Sequence, residues 1–422
     1  MTETNTASGP VWPEKSLAQL GARVTSGSRG WAKYYSDHGD LFVRITNLRR
    51  TSTRLDLSSP RYVQVDPDDA EARRTRLRPG DILVSITADI GIIGLVHKTV
   101  PDPAYINQHI ARVRLDPKLA DSRYISYFLA SWAPQQRFVG ATDQGAKAGM
   151  NLTAVANLTA AVPPLAEQVA IADVLDAAVA QIEALERLIA KKLDIKQGLM
   201  QELLTGRSRL PGYSGEWREV RLGDVGNTYG GLTGKDKNDF GRGDGLYVTF
   251  TEVMAGPRLV GNRLEHVRIR PGERQNQVQK EDVLFNGSSE TPEEVALASV
   301  VDFRPKPGTF LNSFCFGYRL ENRQDIDPGY LAYFFRSAQG RMMVSALAQG
   351  ATRYNIAKTK LMHLSPLLPP VDEQQAIVAV LRDAEDEIGA LQRSLTSARD
   401  ITTGMMQQLL TGRTRLHLGA AS

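Results

Sequence analysis

The chain contains the stretch LLTGRSRL at residues 203–210 and repeats it as LLTGRTRL at residues 409–416. The two copies lie 206 positions apart, and other pairs keep this offset: PPLAEQ at residues 163–168 returns as PPVDEQ at residues 369–374. Earlier in each half the offset drifts by a few residues. The sequence is therefore a duplication in which the last quarter of each half is copied faithfully and the remainder has diverged.

The faithfully copied part has the pattern of a long helix. Between residues 175 and 203, core positions recur at alternating steps of three and four, and the same seam returns between residues 381 and 409. About 40 residues of helix are about 60 Å long, and such a helix needs a partner that covers its apolar stripe. We expect the two helices to form an antiparallel coiled coil, with the alternative that each lies on its own domain.

The seam has three polar positions, at Lys192, Lys196 and Thr402. They mark either a weaker part of the stripe or a place where another chain docks. Each helix follows a Pro-Pro pair and runs to a Thr-Gly pair, whose glycine (Gly206 or Gly412) suits the left-handed position after a helix.

The diverged parts predict a different kind of structure. Short alternating segments such as DLFVRITNL, GDILVSIT and GLYVTFTEV favour strands, and RYISYFLASW and GYLAYFFRSA favour one aromatic-rich helix in each half. The predicted fold is α+β, with two tandem pseudo-symmetric domains containing mixed sheets. The predicted boundaries are a first domain at 1–164, a helix at 165–210, a second domain at 211–370, a helix at 371–416 and a tail at 417–422.

Composition narrows the class of protein. The chain is 42% hydrophobic and 23% charged, which is typical of a folded protein, and its single cysteine, Cys315, excludes a disulfide framework. The N-terminal segment MTETNTASGP lacks the pattern of a secretory signal, and the apolar run IGIIGLV is too short to span a bilayer. We therefore expect a cytoplasmic protein that does not contact membranes.

The net charge of +4 is mild, but its distribution is uneven. Between residues 21 and 60 there are seven basic residues and three acidic ones, which indicates a surface suited to phosphate contact or simply a solvated face.

Three short motifs resemble catalytic or nucleotide-binding signatures. DPAY at residues 102–105 is close to an amino-methyltransferase box but lacks its second proline, and no glycine-rich cofactor loop accompanies it. Pro101-Asp102 with Asp116-Pro117-Lys118 matches a degenerate nuclease pattern, although Pro117 interrupts the strand it requires. YGGLTGKD at residues 229–236 lacks the Ser or Thr of a phosphate loop. The six histidines show no metal-binding spacing. We predict no catalytic residues and no metal site.

The helix segments carry the resemblance to a known family. PPLAEQVAIADVLDAAVAQIEALE, then KQGLMQELLTGRSRLPGYSGEWREVRLGDV, and the second copy PPVDEQQAIVAVL with MMQQLLTGRTRL make the chain resemble the DNA-specificity subunit of a Type I restriction-modification system. The resemblance covers nearly the whole chain.

The resemblance implies a non-catalytic subunit. Each diverged half would be a target-recognition domain for one half of a bipartite, asymmetric site in double-stranded DNA, and the helices would fix the spacing. Two methyltransferase subunits and two restriction (translocase-nuclease) subunits would assemble on it. They would supply S-adenosylmethionine, ATP and Mg, and this chain would hold no cofactor.

Three alternatives remain open. The chain could be a structural adaptor of the same architecture that has lost DNA specificity, or the specificity subunit of a fused methyltransferase-nuclease. It could also be an enzyme in which DPAY or the nuclease-like pattern is active.

Candidate DNA-binding residues are basic, amide and hydroxyl side chains in the diverged halves, because these types read base edges and anchor phosphates. They are Ser28, Arg29, Lys33, Arg44, Asn47, Arg49, Arg50 and Lys147 in the first half, and Thr233, Lys235, Lys237, Asn238, Thr249, Thr251, Asn286, Ser288, Arg353 and Asn355 in the second. Trp31, Tyr34 and Tyr35 could contact sugars, but we favour core packing for them. Asn107 and Asn312 recur in both halves, which favours a structural role.

Overall fold

The computed structural model describes residues 12–27, 29–142, 149–322, 324–347, 349–350 and 353–416. The chain divides into two compact units. The first unit comprises the residues up to Glu186 together with those from Arg393 onward, and the second unit comprises Arg187–Gln392. The boundaries predicted from the sequence follow the duplication instead and stay a prediction. No helix within the described ranges combines the length and the apolar character that a membrane span requires.

The first half of the chain forms strands and helices whose bounds are, in order, β1 (Glu14–Ser16), β2 (Arg23–Ser26), β3 (Tyr35–Ser36), β4 (Asp40–Val43), β5 (Tyr62–Val63), α1 (Ala70–Thr75), β6 (Ile82–Ser85), β7 (Ile93–Leu95), β8 (Ala104–Ile106), β9 (Ile110–Arg114), α2 (Ser122–Ala130), α3 (Trp132–Thr142), α4 (Leu152–Ala156), β10 (Thr159–Ala161) and α5 (Leu165–Leu203).

The first unit is built on two four-stranded sheets. The central sheet has the order β2-β9-β6-β7 and is antiparallel, and the second has the order β3-β5-β4-β8, with β4 and β8 parallel. Strand β6 is buried on both faces, although its segment was expected to alternate as a strand with one exposed face does. Ile82 and Val84 belong to the core under α2, whereas Leu83 faces the core formed by β4 and β8.

The second half of the chain forms, in order, β11 (Arg218–Glu219), α6 (Leu222–Val225), β12 (Gly226–Gly230), β13 (Phe240–Val248), α7 (Phe250–Ala255), β14 (Arg258–Leu259), β15 (Leu264–Val267), β16 (Val283–Asn286), β17 (Ser288–Ser289), β18 (Ala298–Val301), β19 (Thr309–Leu311), β20 (Cys315–Leu320), α8 (Pro328–Phe334), α9 (Ala338–Ser345), β21 (Tyr354–Asn355), α10 (Lys358–Met362), β22 (Leu367–Leu368) and α11 (Val371–Leu409).

The second unit repeats the plan of the first with additions. Its central sheet has the order β12-β20-β16-β18-β14, and a three-stranded sheet has the order β15-β13-β19, in which β13 and β19 are parallel. Strand β16 again separates two cores: Val283 and Phe285 lie with α8, and Leu284 lies on the opposite side. The predicted α+β fold with mixed sheets and two related halves is therefore confirmed.

Two predicted strands are shorter than expected. DLFVRITNL forms β4 only as far as Val43, because the Arg44 N–H donates to the Asn47 carboxamide and closes a 3₁₀ helix, Ile45–Asn47. GLYVTFTEV stops at Val248, because the Thr249 hydroxyl accepts the Glu252 N–H and caps α7. In both halves, side-chain capping ends the strand.

The long helices α5 and α11 each have 39 residues and contribute to both units. In the first unit, Leu175 near the start of α5 shares a core with Leu409 at the end of α11, and Glu186 pairs with Arg399 at 2.6 Å. In the second unit, the later part of α5 meets the earlier part of α11. The pairing is antiparallel in each unit, and the predicted coiled coil is confirmed.

The polar seam positions have partners within the coiled coil. Lys192 pairs with Glu387 at 2.7 Å, and Lys196 pairs with Glu385 at 2.5 Å, both within the second unit. The buried Thr402 hydroxyl donates to the Ala398 carbonyl of its own helix at 2.8 Å. The two lysines therefore join the helices and favour one register of the pair, whereas the Thr402 contact lies within α11.

The repeated eight residues end each helix in the same way. Gly206 and Gly412 both adopt a φ of 71°, the left-handed conformation that favours glycine. In the second unit, Arg209 then forms a bidentate pair with the buried Glu373 in the first turn of α11 and lies over the Trp217 ring.

The first unit contains the reciprocal contact. Arg415 pairs with the buried Glu167 in the first turn of α5 at 2.6 Å and lies over the Trp12 ring. Each copy of the repeat thus closes onto the start of the other helix. We call these two contacts the end clamps, and they account for the near-identity of the two stretches.

A second duplicated ion pair holds each central sheet. Arg319 pairs with Asp282 at 2.7 Å in the second unit, and Arg114 pairs with Asp81 at 2.7 Å in the first. Asp282 is 1% exposed, and it also accepts the Tyr229 hydroxyl at 2.6 Å.

We expect Arg319→Met to lower the free energy of unfolding by about 2–3 kcal/mol, because a buried carboxylate loses its cation. This loss is smaller than that for a fully buried ion pair, because the Arg319 side chain is about a third exposed and solvent screens its charge.

Chemical denaturation of the full chain measures this effect. Arg304→Met is a matched control, because Arg304 is an exposed arginine of the same unit. Equal stability of the Arg319→Met and Arg304→Met proteins would show that the Arg319–Asp282 pair does not stabilise the sheet.

Candidate nucleic-acid interface

Several chain segments converge at one end of the central sheet in the second unit. The Gly231 N–H, just after β12, donates to the Cys315 carbonyl at 3.2 Å. The Gly287 N–H, just after β16, donates to the Phe314 carbonyl at 2.7 Å, and the Ile356 N–H donates back to the Gly287 carbonyl at 3.2 Å. These bonds hold together the segments 230–231, 287–291, 312–315 and 353–356, which we call the loop end of the second unit.

The first unit has the same backbone frame. The Gly27 N–H donates to the Ile110 carbonyl at 3.2 Å, the Ile86 N–H donates to the His109 carbonyl at 3.0 Å, and the Met150 N–H donates to the Ile86 carbonyl at 2.9 Å. The loop end of the first unit accordingly consists of residues 26–27, 86–90, 107–110 and 149–151. The two diverged halves therefore present equivalent loops in equivalent places.

Two glycine and asparagine pairs explain how the frame closes. A Cβ on Gly27 or on Gly231 would lie 2.0 Å from the carbonyl oxygen of Asn107 or Asn312, respectively. Only glycine at these positions therefore lets the two backbone segments approach so closely. Each asparagine side chain accepts the N–H two residues later in the turn that follows. Asn107 and Asn312 thus recur because each shapes the backbone frame, which agrees with the structural role expected from the sequence.

The loop end of the first unit carries small polar side chains. The Thr87 hydroxyl lies 2.6 Å from His109 Nδ1, and the Gln108 amide nitrogen lies 3.2 Å from His109 Nε2. All three residues are half-buried. The exposed Ala88 has a φ of 58°, an unusual conformation that concentrates at functional loops. Hydroxyl, amide and imidazole groups of this kind read base edges.

The loop end of the second unit has a different composition. Phe314 is 55% exposed, and the guanidinium carbon of Arg353 lies 5.0 Å from its ring centre. Asn355 is exposed beside them on β21, which pairs with β17. The two units therefore share a backbone frame but differ in the side chains that they present.

A second set of basic residues lies next to the second sheet in each unit, before β3 in the first unit and around the start of β13 in the second. In the first unit, Arg29 is exposed and Lys33 lies 4.8 Å from the Tyr34 ring centre, whereas Trp31 is buried against Phe42. In the second unit the corresponding segment is residues 233–243. We call the segment that carries Arg29 and Lys33 the basic arm of the first unit, and residues 233–243 the basic arm of the second unit.

The arm of the second unit is held by charge pairs. The Lys235 side chain is 2% exposed, and its ammonium group pairs with Glu273 and donates to the Arg268 carbonyl at 2.6 Å. Hydrogen bonds, first from Lys235 and then from the backbone of Arg270, lower the pKa of Glu273 to about 2. Arg268 and Arg270 pair with the buried Asp239, and the hydrogen bond from Arg268 lowers the pKa of that carboxyl group.

Several predicted contact residues have structural partners instead. Asn47 is buried and donates to the Asp56 carbonyl at 2.8 Å, and Arg49 pairs with that same Asp56. Arg44 is half-buried and donates to the Ser59 carbonyl at 3.3 Å. Arg50 donates to the Gln135 side chain at 2.7 Å and pairs with Asp89. We therefore assign Asn47 and the half-buried Arg44 to the fold, whereas Arg49 and Arg50 are exposed and their contact with DNA stays a prediction.

Buried residues of the second unit are also assigned to the fold. Asn286 donates to the Glu294 carbonyl at 2.7 Å and accepts the Leu297 N–H at 2.6 Å, which shapes the loop after β16. Ser288 is buried, and Thr249 caps α7. Lys235 belongs with them, since its ammonium group is turned into the arm.

The remaining predicted residues are exposed or lie outside the described ranges. Ser28 and Lys147 lie outside them. The exposed ones are Arg29, Lys33, Arg49, Arg50, Thr233, Lys237, Asn238, Thr251, Arg353 and Asn355. Of these, Arg353 and Asn355 lie at the loop end, and Thr233, Lys237 and Asn238 lie on the arm. Thr251 lies on α7, outside the segments that form the loop end and the basic arm of the second unit. Which of them contacts DNA stays a prediction.

Sequence reasoning missed several side chains of these surfaces, some half-buried and some exposed. At the loop ends they are Thr87, Gln108, His109 and Phe314, and near the arm they are Arg242, Arg270 and Arg274. The basic run RIRPGER at residues 268–274 was a usable signal for the arginines. No local pattern distinguishes Phe314 from a core aromatic residue.

We expect Lys237→Ala to weaken DNA binding to a similar extent on all sequences. An exposed lysine on the arm would neutralise one phosphate, so the dependence of log affinity on log salt should become less steep by about 1. A salt titration of duplex binding measures this slope. Lys280→Ala is the matched control, because Lys280 is exposed near the start of β16, at the opposite end of the strand from the loops. Identical slopes for the two variants would remove Lys237 from the surface.

The motifs that resemble catalytic signatures lie in structural settings. Asp102 pairs with Arg76 at 2.9 Å, and Tyr105 of the same DPAY segment is buried, with its ring centre 5.4 Å from that of Trp31. Asp116 accepts the Lys118 N–H in the turn after β9. Within the described ranges, no three His, Cys, Asp or Glu side chains are grouped as metal ligands would be.

Comparison with known proteins gives one consistent family. The family model described as the Type I restriction modification DNA specificity domain matches residues 71–193 and 214–396, which is more than half of the chain. The putative type I restriction enzyme MjaX specificity subunit of Methanocaldococcus jannaschii is 29% identical over 131 residues, which cover 31% of this chain and 30% of that protein. The EcoBI specificity subunit of Escherichia coli is 25% identical over 168 residues, covering 40% and 32%. The chain thus spans about a third of the length of these curated relatives.

Solved structures show a similar fold. The crystal structure of a Type I restriction-modification S subunit from M. genitalium has a TM-score of 0.58 at 14% identity, with 96% of this chain and 98% of that chain covered. A chain from a structure of the type I R-M system, concerned with its complex assembly and conformational transition, has a TM-score of 0.55 at 18% identity, with 97% and 100% covered. At these identities the likeness shows the fold alone.

Proposed function

Because the chain belongs to the Type I restriction-modification DNA specificity family, we propose that it reads a bipartite, asymmetric site in double-stranded DNA, one half-site through each unit. The observation that supports this most is the repeated loop end. The same backbone frame occurs in both units, closed by equivalent glycines and asparagines, and it carries different side chains in each. One frame with two side-chain sets suits a protein that reads two different sequences.

The two loop ends offer different recognition chemistry. In the first unit, Gln108, His109 and Thr87 supply donors and acceptors to base edges in a groove. In the second unit, Phe314 supplies an apolar contact, and Arg353 and Asn355 supply donors. The basic arms would anchor the flanking phosphates and contribute affinity without sequence preference.

We further propose that the long helices set the distance between half-sites and recruit the partner subunits. The end clamps occur twice with the same chemistry, as Arg209–Glu373 and Arg415–Glu167. A duplicated surface can hold two copies of one partner. Two methyltransferase subunits would bind it and bring S-adenosylmethionine, and two restriction subunits would bring ATP hydrolysis and Mg. Members of this family are generally non-catalytic, and we assign no reaction to this chain.

Selection from random duplexes tests the proposal. The full chain is purified with its methyltransferase partner and used to enrich DNA at moderate salt, and the enriched pool is sequenced. We expect one motif made of two different short sequences separated by a fixed unspecified spacer. Enrichment without a motif, from a complex that is stably assembled, would instead show an adaptor that has lost specificity. The composition of the purified complex shows whether the partner is a separate methyltransferase or a fused methyltransferase-nuclease.

A further inference from the structure

Phe314 is an exposed aromatic side chain on a rigid turn. The residue is 55% exposed, yet its backbone is held on both sides: its N–H donates to the Asn312 side chain at 2.9 Å, and its carbonyl accepts the Gly287 N–H at 2.7 Å. The next residue, Cys315, is buried in the sheet. A fixed, solvent-facing phenylalanine at the loop end is therefore available for contact with a partner outside the chain.

Arg353 converges on the same ring from a different segment. Its guanidinium carbon lies 5.0 Å from the Phe314 ring centre, which is cation–π distance. Its carbonyl accepts the Asn355 amide at 3.2 Å, and Asn355 exchanges two backbone hydrogen bonds with Gln349. Two separate backbone frames therefore bring one apolar ring and one cation together at the loop end.

We infer that Phe314 and Arg353 determine the specificity of the half-site read by the second unit, with Phe314 packed on the 5-methyl group of a thymine and Arg353 donating to the adjacent base or phosphate. This inference rests on the proposed function. The thymine methyl is the apolar group that a major groove displays at a base edge, and arginine is the side chain that most often contacts guanine there. The cation beside the ring favours DNA over an apolar protein surface, because the guanidinium group would be desolvated without a partner in such an interface.

Among the described residues of the first unit, a histidine takes the place of Phe314. The residue whose carbonyl accepts the N–H after the central strand is Phe314 in the second unit and His109 in the first. His109 has polar neighbours, Thr87 at 2.6 Å and Gln108 at 3.2 Å. An apolar base contact is therefore expected in one half-site only. His109→Ala serves as the matched control, since it alters the same position of the other unit.

The test compares variants and DNA analogues in the assembled complex. Random-duplex selection is repeated for Phe314→Ala, Phe314→Leu, Arg353→Ala and His109→Ala. We expect Phe314→Ala to lose about tenfold or more in preference at one position of one half-site, while the other half-site and the spacer are unchanged. Phe314→Leu keeps an apolar side chain and should retain most of the preference. His109→Ala should change the opposite half-site.

Deoxyuridine substitution identifies the methyl contact directly. Replacing the contacted thymine by deoxyuridine removes only the methyl group, so the wild-type complex should bind more weakly, and the Phe314→Ala complex should bind both duplexes equally. A full wild-type motif in the Phe314→Ala complex would overturn the inference, as would wild-type indifference to deoxyuridine throughout that half-site; both leave the split-site proposal intact. A wild-type complex that selects no split motif would instead overturn the proposed function, and this inference with it.

Discussion

Removing one heptad from each long helix, residues 185–191 and 391–397, is expected to shorten the preferred spacer between half-sites by about three base pairs. Seven residues correspond to about 10 Å of helix, and base pairs rise about 3.4 Å each. A seven-residue deletion keeps the coiled-coil seam in phase. Binding to a duplex with the original spacing should fall by about a thousandfold or more, toward non-specific affinity.

The deletion must be made in both helices because they pair in antiparallel fashion within each unit. The deletion keeps the neighbouring Lys192–Glu387 pair and removes Glu186, so the exposed Glu186–Arg399 pair is lost at little cost. Removing residues 185–191 alone is the control, since it mismatches the two helices and should reduce stability. Selection from duplexes of varied spacing gives the result. An unchanged optimum in a folded, paired-deletion protein would mean that the helices do not set the spacing.

Reversing the charge of one end clamp is expected to destabilise the unit that contains it. Arg209→Glu would place a second carboxylate beside Glu373, which is fully buried in the first turn of α11. A buried carboxylate that loses its cation and gains a like charge destabilises a fold strongly, so the melting temperature should fall by on the order of 5 °C or more. Thermal unfolding followed by circular dichroism measures this change.

Restoring opposite charges separates the clamp from general disruption. The double variant Arg209→Glu with Glu373→Arg should recover a large part of the loss if the two side chains interact directly. Arg415→Glu should act on the first unit through Glu167. Hydrogen exchange should accordingly increase around the start of α11 in the Arg209→Glu protein and around the start of α5 in the Arg415→Glu protein. Increases in the same peptides for both variants would contradict two separate clamps.

The sequence predicted the repeated parts of the fold well. The helices, their pairing and their terminal glycines follow from periodicity and from the 206-residue offset, which a single copy could not have provided. The clamps themselves were not predicted, because Arg209 and Glu373 are 164 positions apart and only antiparallel pairing brings them together. Capping by Asn47 and Thr249 also escaped prediction, because the surrounding residues alternate as strands do.

The candidate interface was less predictable because residue type does not show exposure. Lys235 and Lys237 are equivalent by composition, yet the first is turned into a charge pair and the second is exposed. Asn286 and Asn355 have the same side chain, but one shapes a buried turn and the other lies at the loop end. Phe314 was overlooked because aromatic residues beside strands are usually core. Tertiary contacts decide each of these cases.

Methylome sequencing tests the central claim most directly. The chain is co-expressed with its methyltransferase partner in a host that lacks this modification, and the host DNA is sequenced for methylated bases, with the partner alone as control. We predict methylation at one asymmetric motif of two short sequences with a fixed spacer, present only when this chain is present. Methylation at unrelated sites, or the same motif without this chain, would contradict the account that the two units read a split DNA site.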